Sequence, residues 1–106
     1  MSDVVAGLIT GPDREQLLRL GRALVEERLI ACLNVADRVT SVYRWEGEVC
    51  EEAEALGILK TTAARSDAVE RRIRELHPYD VPEVLFIPVT AGSAPYVDWV
   101  SEQVSE

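Results

Sequence analysis

Short apolar runs and stretches with helical spacing alternate along the chain. Residues 4–10 and 84–89 are apolar runs of the kind found in strands buried in a sheet. Pro88 offers no backbone N–H to a sheet, so it predicts that the second of these strands lies at an edge. Between them, residues 31–62 read as two extended strands joined by a tight turn at residues 46–47, where glycine can adopt a positive φ.

Three other segments repeat apolar residues at the spacing of an α-helix. The first helix begins at a capping Asp13, with Gln16 at the capping-box position. The second begins at a capping Ser66 and ends before Pro78, and the third follows a capping Ser93. The predicted apolar faces comprise Leu17, Leu20, Gly21, Leu24 and Val25, then Val69, Ile73 and Leu76, then Tyr96, Val97, Val100 and Val104.

The predicted order is strand, helix, strand, strand, helix, strand, helix. The first six elements match the split β-α-β arrangement of ferredoxin-like folds, with an added C-terminal helix. We therefore predict an α+β fold, a ferredoxin-like βαββαβ domain that spans residues 1–106, with an antiparallel sheet and a long hairpin formed by its second and third strands. Two helices would cover one face of the sheet, and the other face would have no cover within the chain.

The turn at residues 46–47 sets a register for the long hairpin. If Trp45 faces Glu48, then Tyr43 faces Cys50 and Leu33 faces Lys60. Near the open end, Leu33, Val35, Leu56 and Ile58 then lie on one face, which has the apolar character of a core. Toward the turn, the same face becomes a mixed aromatic and acidic surface: Val39, Ser41, Tyr43 and Trp45 opposite Glu54, Glu52, Cys50 and Glu48.

The hairpin is too long for its own domain to cover. A strand over residues 32–45 spans about 45 Å, whereas a compact chain of this length has a diameter of roughly 34 Å. The hairpin must bend at a bulge or project. A projecting tip with Tyr43 and Trp45 predicts an interface with another copy of the chain. The alternative is a strongly twisted hairpin that folds over its own core.

Composition narrows the classes of function. The formal net charge is -8, from 19 acidic and 11 basic residues with no basic cluster, so a nucleic-acid groove is not expected. Cys32 and Cys50 lie far apart in the predicted register, which indicates two free thiols and a reducing compartment. The chain starts without a signal-peptide pattern, and no apolar run approaches ~20 residues. We expect a cytoplasmic protein that does not bind membranes.

Residues 77–83 have the most unusual local composition. They place the only histidine, His77, near Tyr79, Asp80 and Glu83, and such residues serve as metal ligands or acid–base groups. The alternative is a rigid helix-to-strand connection in which His77 caps the helix C-terminus.

Lys60 starts from a partly buried strand face, so its ammonium needs an anionic partner or a bound ligand. The alternative is that the aliphatic part of the side chain extends along the protein surface and the ammonium reaches water. The acidic residues of the third strand are more often solvated than metal-bound, because they form no chelating loop. No nucleophile–base set or phosphate-binding loop is present, so we do not predict an enzyme.

The chain resembles the CutA family of divalent-cation tolerance proteins over roughly residues 4–104. The resemblance is carried by Ala31-Cys32-Leu33-Asn34, Ser41-Val42-Tyr43-Arg44-Trp45-Glu46-Gly47, Leu59-Lys60-Thr61-Thr62, His77-Pro78-Tyr79-Asp80-Val81-Pro82-Glu83, Pro88-Val89 and Tyr96-Val97-Asp98-Trp99. It implies a ferredoxin-like homotrimer with interlocked hairpins, similar in architecture to PII signalling proteins. It also implies a role in tolerance to divalent metals such as copper, without an established enzymatic activity or a required cofactor.

The resemblance carries over to the metal site only in part. Bacterial members with an assigned copper site have a cysteine at the end of the first strand and a pair of histidines before the Pro-Tyr motif. Here these positions hold Ile9, Leu76 and His77, so His77 alone is a candidate ligand and copper binding is expected to be weak.

The alternative function is a PII-like trimer that binds a small anion between subunits. Its predicted cleft is lined by Tyr43, Trp45, Lys60, His77, Tyr79 and Glu83.

Overall fold

The computed structural model describes residues 3–105, which form an antiparallel sheet and three α-helices. In chain order the elements are β1 (Val4–Gly11), α1 (Arg14–Glu26), β2 (Cys32–Trp45), β3 (Glu48–Thr62), α2 (Ser66–Leu76), β4 (Val84–Pro88) and α3 (Ala94–Val104). The strand order β2-β3-β1-β4 confirms the predicted α+β, ferredoxin-like fold. It also confirms that β4, which carries Pro88, lies at an edge.

One of the predicted helix caps is present in the structure and another is not. The Asp13 carboxylate accepts a hydrogen bond from the Gln16 backbone N–H at 2.9 Å, which confirms the predicted cap of α1. The predicted Ser66 cap is wrong, because a 3₁₀ turn over Ala63–Arg65 leads directly into α2. Ser66 is the first helical residue, and its hydroxyl donates to the Ala63 carbonyl at 2.7 Å. Ser93 stands at the start of α3 without a side-chain capping bond.

The main core lies between the sheet and helices α1 and α2. Its buried residues come from alternate positions of β1 and β3 and from the inner faces of both helices: Ile9, Ala55, Leu59, Leu17, Leu20, Leu24, Val69 and Ile73, together with Ile30 after α1. The predicted inner faces of these helices are confirmed except at their C-terminal ends, where Val25 and Leu76 are 43% and 39% exposed.

Within residues 3–105, the other face of the sheet is covered only at one end. There, Val100 and Val104 of α3 pack against Val4 and Ala31. The rest of this face is open. Leu85, Leu8 and Ile58 are neighbours across β4, β1 and β3, and Leu85 and Ile58 are 56% and 37% exposed. This open row of apolar side chains is a surface that normally requires a partner.

The tip of the hairpin has the predicted register. Trp45 pairs with Glu48 and Tyr43 pairs with Cys50. Glu46 and Gly47 have φ values of 51° and 85°, so both central residues of the turn are left-handed, as in a type I′ hairpin.

The predicted register fails at the base of the hairpin, where Leu33 pairs with Leu59 instead of Lys60. The cause is a bulge between Ala36 and Val39, in which two residues of β2 face one residue of β3. One extra residue reverses which face each side chain occupies. Leu33 and Val35 therefore pack in the main core, whereas Leu56 and Ile58 lie on the other face of the sheet.

The hairpin contains this bulge and also projects. Strand β1 ends at Gly11, opposite Ala55, so residues 48–54 of β3 pair only with β2. The molecule measures 44 × 25 × 22 Å, which is longer than a compact chain of this size. The tip is therefore a two-stranded ribbon outside the body of the domain.

We predict that Gly57→Ala destabilises the fold by about 1–3 kcal/mol, because overpacking a filled core forces strain. A Cβ at Gly57 would lie 2.8 Å from Ile9 Cγ2 and 2.9 Å from Leu33 Cδ1. Gly92→Ala is the matched control, since its Cβ would approach only Val97 Cγ2, at 3.3 Å. Urea unfolding at one fixed protein concentration measures both, and an unchanged midpoint for Gly57→Ala would contradict this account of the core.

Candidate functional site

A groove of about 580 Å³ lies between the projecting hairpin and the segment that joins α2 to β4. Residues from both sides line it: Thr10, Ser41, Val42, Tyr43, Trp45, Glu52, Glu54, Tyr79, Asp80, Val81 and Glu83. Its volume is within the range of pockets that bind small molecules.

The hairpin wall follows from the register at the tip. Ser41 pairs with Glu52 and Tyr43 pairs with Cys50, so their side chains share one face. This is the mixed aromatic and acidic surface predicted from the sequence. Tyr43 and Trp45 are 37% and 50% exposed.

His77 fixes the opposite wall. Its backbone N–H donates to the Ile73 carbonyl at 2.8 Å, which closes the last turn of α2. The Tyr79 backbone N–H donates to His77 Nδ1 at 3.1 Å, so the other ring nitrogen, Nε2, carries the proton and donates to the Thr10 carbonyl at 2.7 Å. His77 is buried and thereby ties the segment after α2 to the end of β1.

Tyr79 connects the two walls. Its hydroxyl donates to Glu54 Oε2 at 2.7 Å, and its ring lies against the His77 ring with the centroids 4.7 Å apart. Burial raises the pKa of the Tyr79 hydroxyl well above its ordinary value, and the bonded Glu54 carboxylate raises it further. Partial burial and the Glu52 carboxylate likewise raise the pKa of Tyr43.

The structure brings together four of the predicted cleft residues, Tyr43, Trp45, Tyr79 and Glu83. His77 lies behind the groove, where it supports Tyr79. Lys60 does not line the groove. Its ammonium donates to the Asn34 side-chain oxygen near the base of the hairpin, opposite Cys32 in the register.

The sequence prediction of the cleft missed Glu52, Glu54 and Asp80. The register already placed Glu52 and Glu54 beside Tyr43, so the pairing contained the signal for them. Among the described lining residues the charged side chains are all acidic. An anion is therefore disfavoured in this groove of a single chain.

The positions that the resemblance relates to copper ligands are not gathered into a set of metal ligands in the part of the chain that the structure describes. Ile9 is a core residue with 1% exposure, and His77 already uses both ring nitrogens. Within residues 3–105, no group of three or more His, Cys, Asp or Glu side chains is placed to hold a metal ion. Over the same residues, no helix is long and apolar enough to cross a membrane.

Comparison with known proteins places this architecture in one family. The sequence profile of the CutA1 divalent ion tolerance protein matches residues 5–103. The chain is 45% identical over 102 residues to the divalent-cation tolerance protein CutA of Thermus thermophilus, covering 96% of this chain and 97% of that protein. It is 40% identical over 103 residues to the human protein CutA, of which it spans only 57%, while 97% of this chain is covered.

Solved structures agree with the sequence comparison. CutA from Xylella fastidiosa superposes with a TM-score of 0.95 at 34% identity, covering 98% of this chain and 100% of that one. The Thermus thermophilus structure gives a TM-score of 0.93 at 42% identity, with coverage of 96% and 99%. The chain therefore belongs to the CutA1 family of divalent ion tolerance proteins.

Proposed function

We propose that this protein acts as a homotrimer in the cellular response to divalent metal ions such as copper, in a binding role without catalysis. The observation that carries the proposal is the hairpin that projects beyond the end of β1, next to an open apolar sheet face. The resemblance that implies interlocked hairpins supports three copies over two. The whole chain, as one domain, would form each subunit.

The tip and the open face would meet neighbouring copies. Tyr43 and Trp45 are large, partly exposed aromatic side chains on a ribbon that its own domain does not cover. The row formed by Leu8, Ile58 and Leu85 adds apolar surface on the same side of the sheet. We place the ligand cleft of the trimer at the groove described above, which opens on this side.

A binding role is supported by how the only histidine is used. Both nitrogens of His77 are held in hydrogen bonds that shape the fold, so it does not stand free as an acid–base group. The anion-binding, PII-like alternative is not favoured, because the groove is lined with carboxylates and Lys60 lies elsewhere.

We also propose a cytoplasmic location, because the structure leaves Cys32 and Cys50 as free thiols. Fractionation of cells that express the protein at its natural level would test the location.

For copper, we propose that binding is weak and occurs through His77. A metal ion would have to displace either the Tyr79 N–H from Nδ1 or the Nε2 proton that is donated to Thr10. A lone imidazole is a poor copper site without further nitrogen or sulfur ligands. A role in metal tolerance would then not depend on tight copper storage by a single subunit.

The trimer proposal predicts the mass of the protein in solution. Light scattering at micromolar concentration should give three times the 11.8 kDa chain mass. Trp45→Arg should shift the protein toward smaller species, because a charge would replace an aromatic side chain at the interface. Val49→Arg is the control, since Val49 is 66% exposed on the opposite face of the same tip. A monomer mass for the unmodified protein would refute the proposal, and equal loss in both variants would refute the assigned interface face.

The second prediction concerns copper. Calorimetric titration at pH 7 should show only weak binding, without a defined stoichiometry at micromolar protein concentration. His77→Ala should remove most of that binding, and His77→Gln serves as a second variant if alanine unfolds the segment that His77 anchors. Circular dichroism checks the fold of each. Tight, stoichiometric binding that persists in both variants would contradict the assignment and would indicate carboxylate or cysteine ligands.

A further inference from the structure

The groove combines aromatic rings with negative charge. Tyr43, Trp45 and Tyr79 supply the rings, and the carboxylates come from both walls: Glu52 and Glu54 on the hairpin, and Asp80 and Glu83 on the segment before β4. Among the described lining residues there is no lysine, arginine or histidine. The groove therefore provides no neutralising charge of its own.

The negative charge acts on the tyrosines of the groove. Glu54 and Glu52 both contribute to the raised pKa of Tyr79, after burial, and the same two carboxylates contribute to the raised pKa of Tyr43. Within residues 3–105, the ion pairs involve carboxylates on or next to helices α1 and α2, and none involves a carboxylate of the groove. The charge in the groove is thus available to a ligand.

These features match a large cation better than a bare metal ion. The carboxylates are not gathered into a set that could coordinate one ion. Aromatic faces attract organic cations within about 6 Å of the ring centroid, most strongly when the ring is that of tryptophan. A guanidinium or alkylammonium group spreads its charge over several atoms and can contact rings and separate carboxylates together.

We propose that the groove binds a small organic cation of the guanidinium or alkylammonium class, with Trp45 and Tyr43 against the cation and Glu52 and Glu83 as its counter-charges. Glu54 is held by Tyr79 and shapes the floor of the site. This inference rests on the proposed function, because it names the ligand class of the cleft that we place between subunits. The groove volume of about 580 Å³ admits a small molecule of this class.

Fluorescence of Trp45 provides the test. The chain has two tryptophans, so Trp99→Phe leaves Trp45 as the sole indole reporter. This variant would be titrated with butylguanidinium chloride and with tetraethylammonium chloride at low ionic strength. We expect a saturable change with a Kd of about 1 mM or below. Sodium chloride at matched ionic strength and sodium glutamate are the controls for charge screening and for anion binding.

Charge-removing variants locate the site. Glu52→Gln should weaken binding about threefold to fivefold, and Glu52→Gln combined with Glu83→Gln about tenfold or more. Glu51→Gln is a matched control, because it removes the same charge one residue away, on the opposite face of the hairpin. Calorimetry on these variants with Trp99 restored provides a readout independent of fluorescence.

The outcomes separate this inference from the trimer proposal. A trimer mass with no saturable cation binding overturns the inference alone, as does equal weakening by Glu51→Gln and Glu52→Gln. Tighter binding of glutamate than of the cations also overturns it. A monomer that binds the cations with the predicted variant pattern supports the inference and overturns the trimer proposal.

Discussion

The β2–β3 ladder extends past the end of β1, and the rest of the molecule depends on this mismatch. Strands of 14 and 15 residues pair with each other, whereas β1 has only eight. The strand edge of a projecting ribbon carries unpaired backbone groups, and its side chains find no core of their own. The projecting ribbon becomes one wall of the groove, and it also leaves Tyr43 and Trp45 only partly covered by their own domain.

The bulge in β2 lets one hairpin serve two environments. Below it, Leu33 and Val35 point into the core under α1, and above it, Tyr43 and Trp45 lie on the other side of the sheet. The turn residues predicted the register of the tip because a two-residue loop dictates which residues face each other. The base could not be predicted in the same way. Arg38 adopts a φ of 61° without being glycine or asparagine, so no local signal in the sequence marks the bulge.

Tertiary contacts determine which of the predicted residues line the groove. Four of the predicted cleft residues line the groove, two selected by strand parity and two by an unusual local sequence: Tyr43, Trp45, Tyr79 and Glu83. The parity argument also selected Lys60, which shares their face of β3 but lies at the far end of the strand. Strand parity indicates which face of the sheet a side chain occupies, but not how far along the strand it lies. The position of residues 77–83 in the fold depends on the hydrogen bond that His77 donates to the Thr10 carbonyl, 67 residues away in sequence.

His77 shows that a residue type capable of acid–base and metal chemistry can have a structural role instead. Its two nitrogens orient Tyr79, whose hydroxyl then reaches Glu54 on the hairpin. The chemical character of the site comes instead from the acidic strand, which looked like an ordinary solvated face in the sequence. Alternation along β3 places Glu52 and Glu54 on the Tyr43 face and Glu51 on the other, so neighbouring carboxylates have different neighbours. Aromatic rings beside carboxylates, with no basic side chain among the described lining residues, favour a cation as the ligand, and the rings favour an organic cation over a bare metal ion.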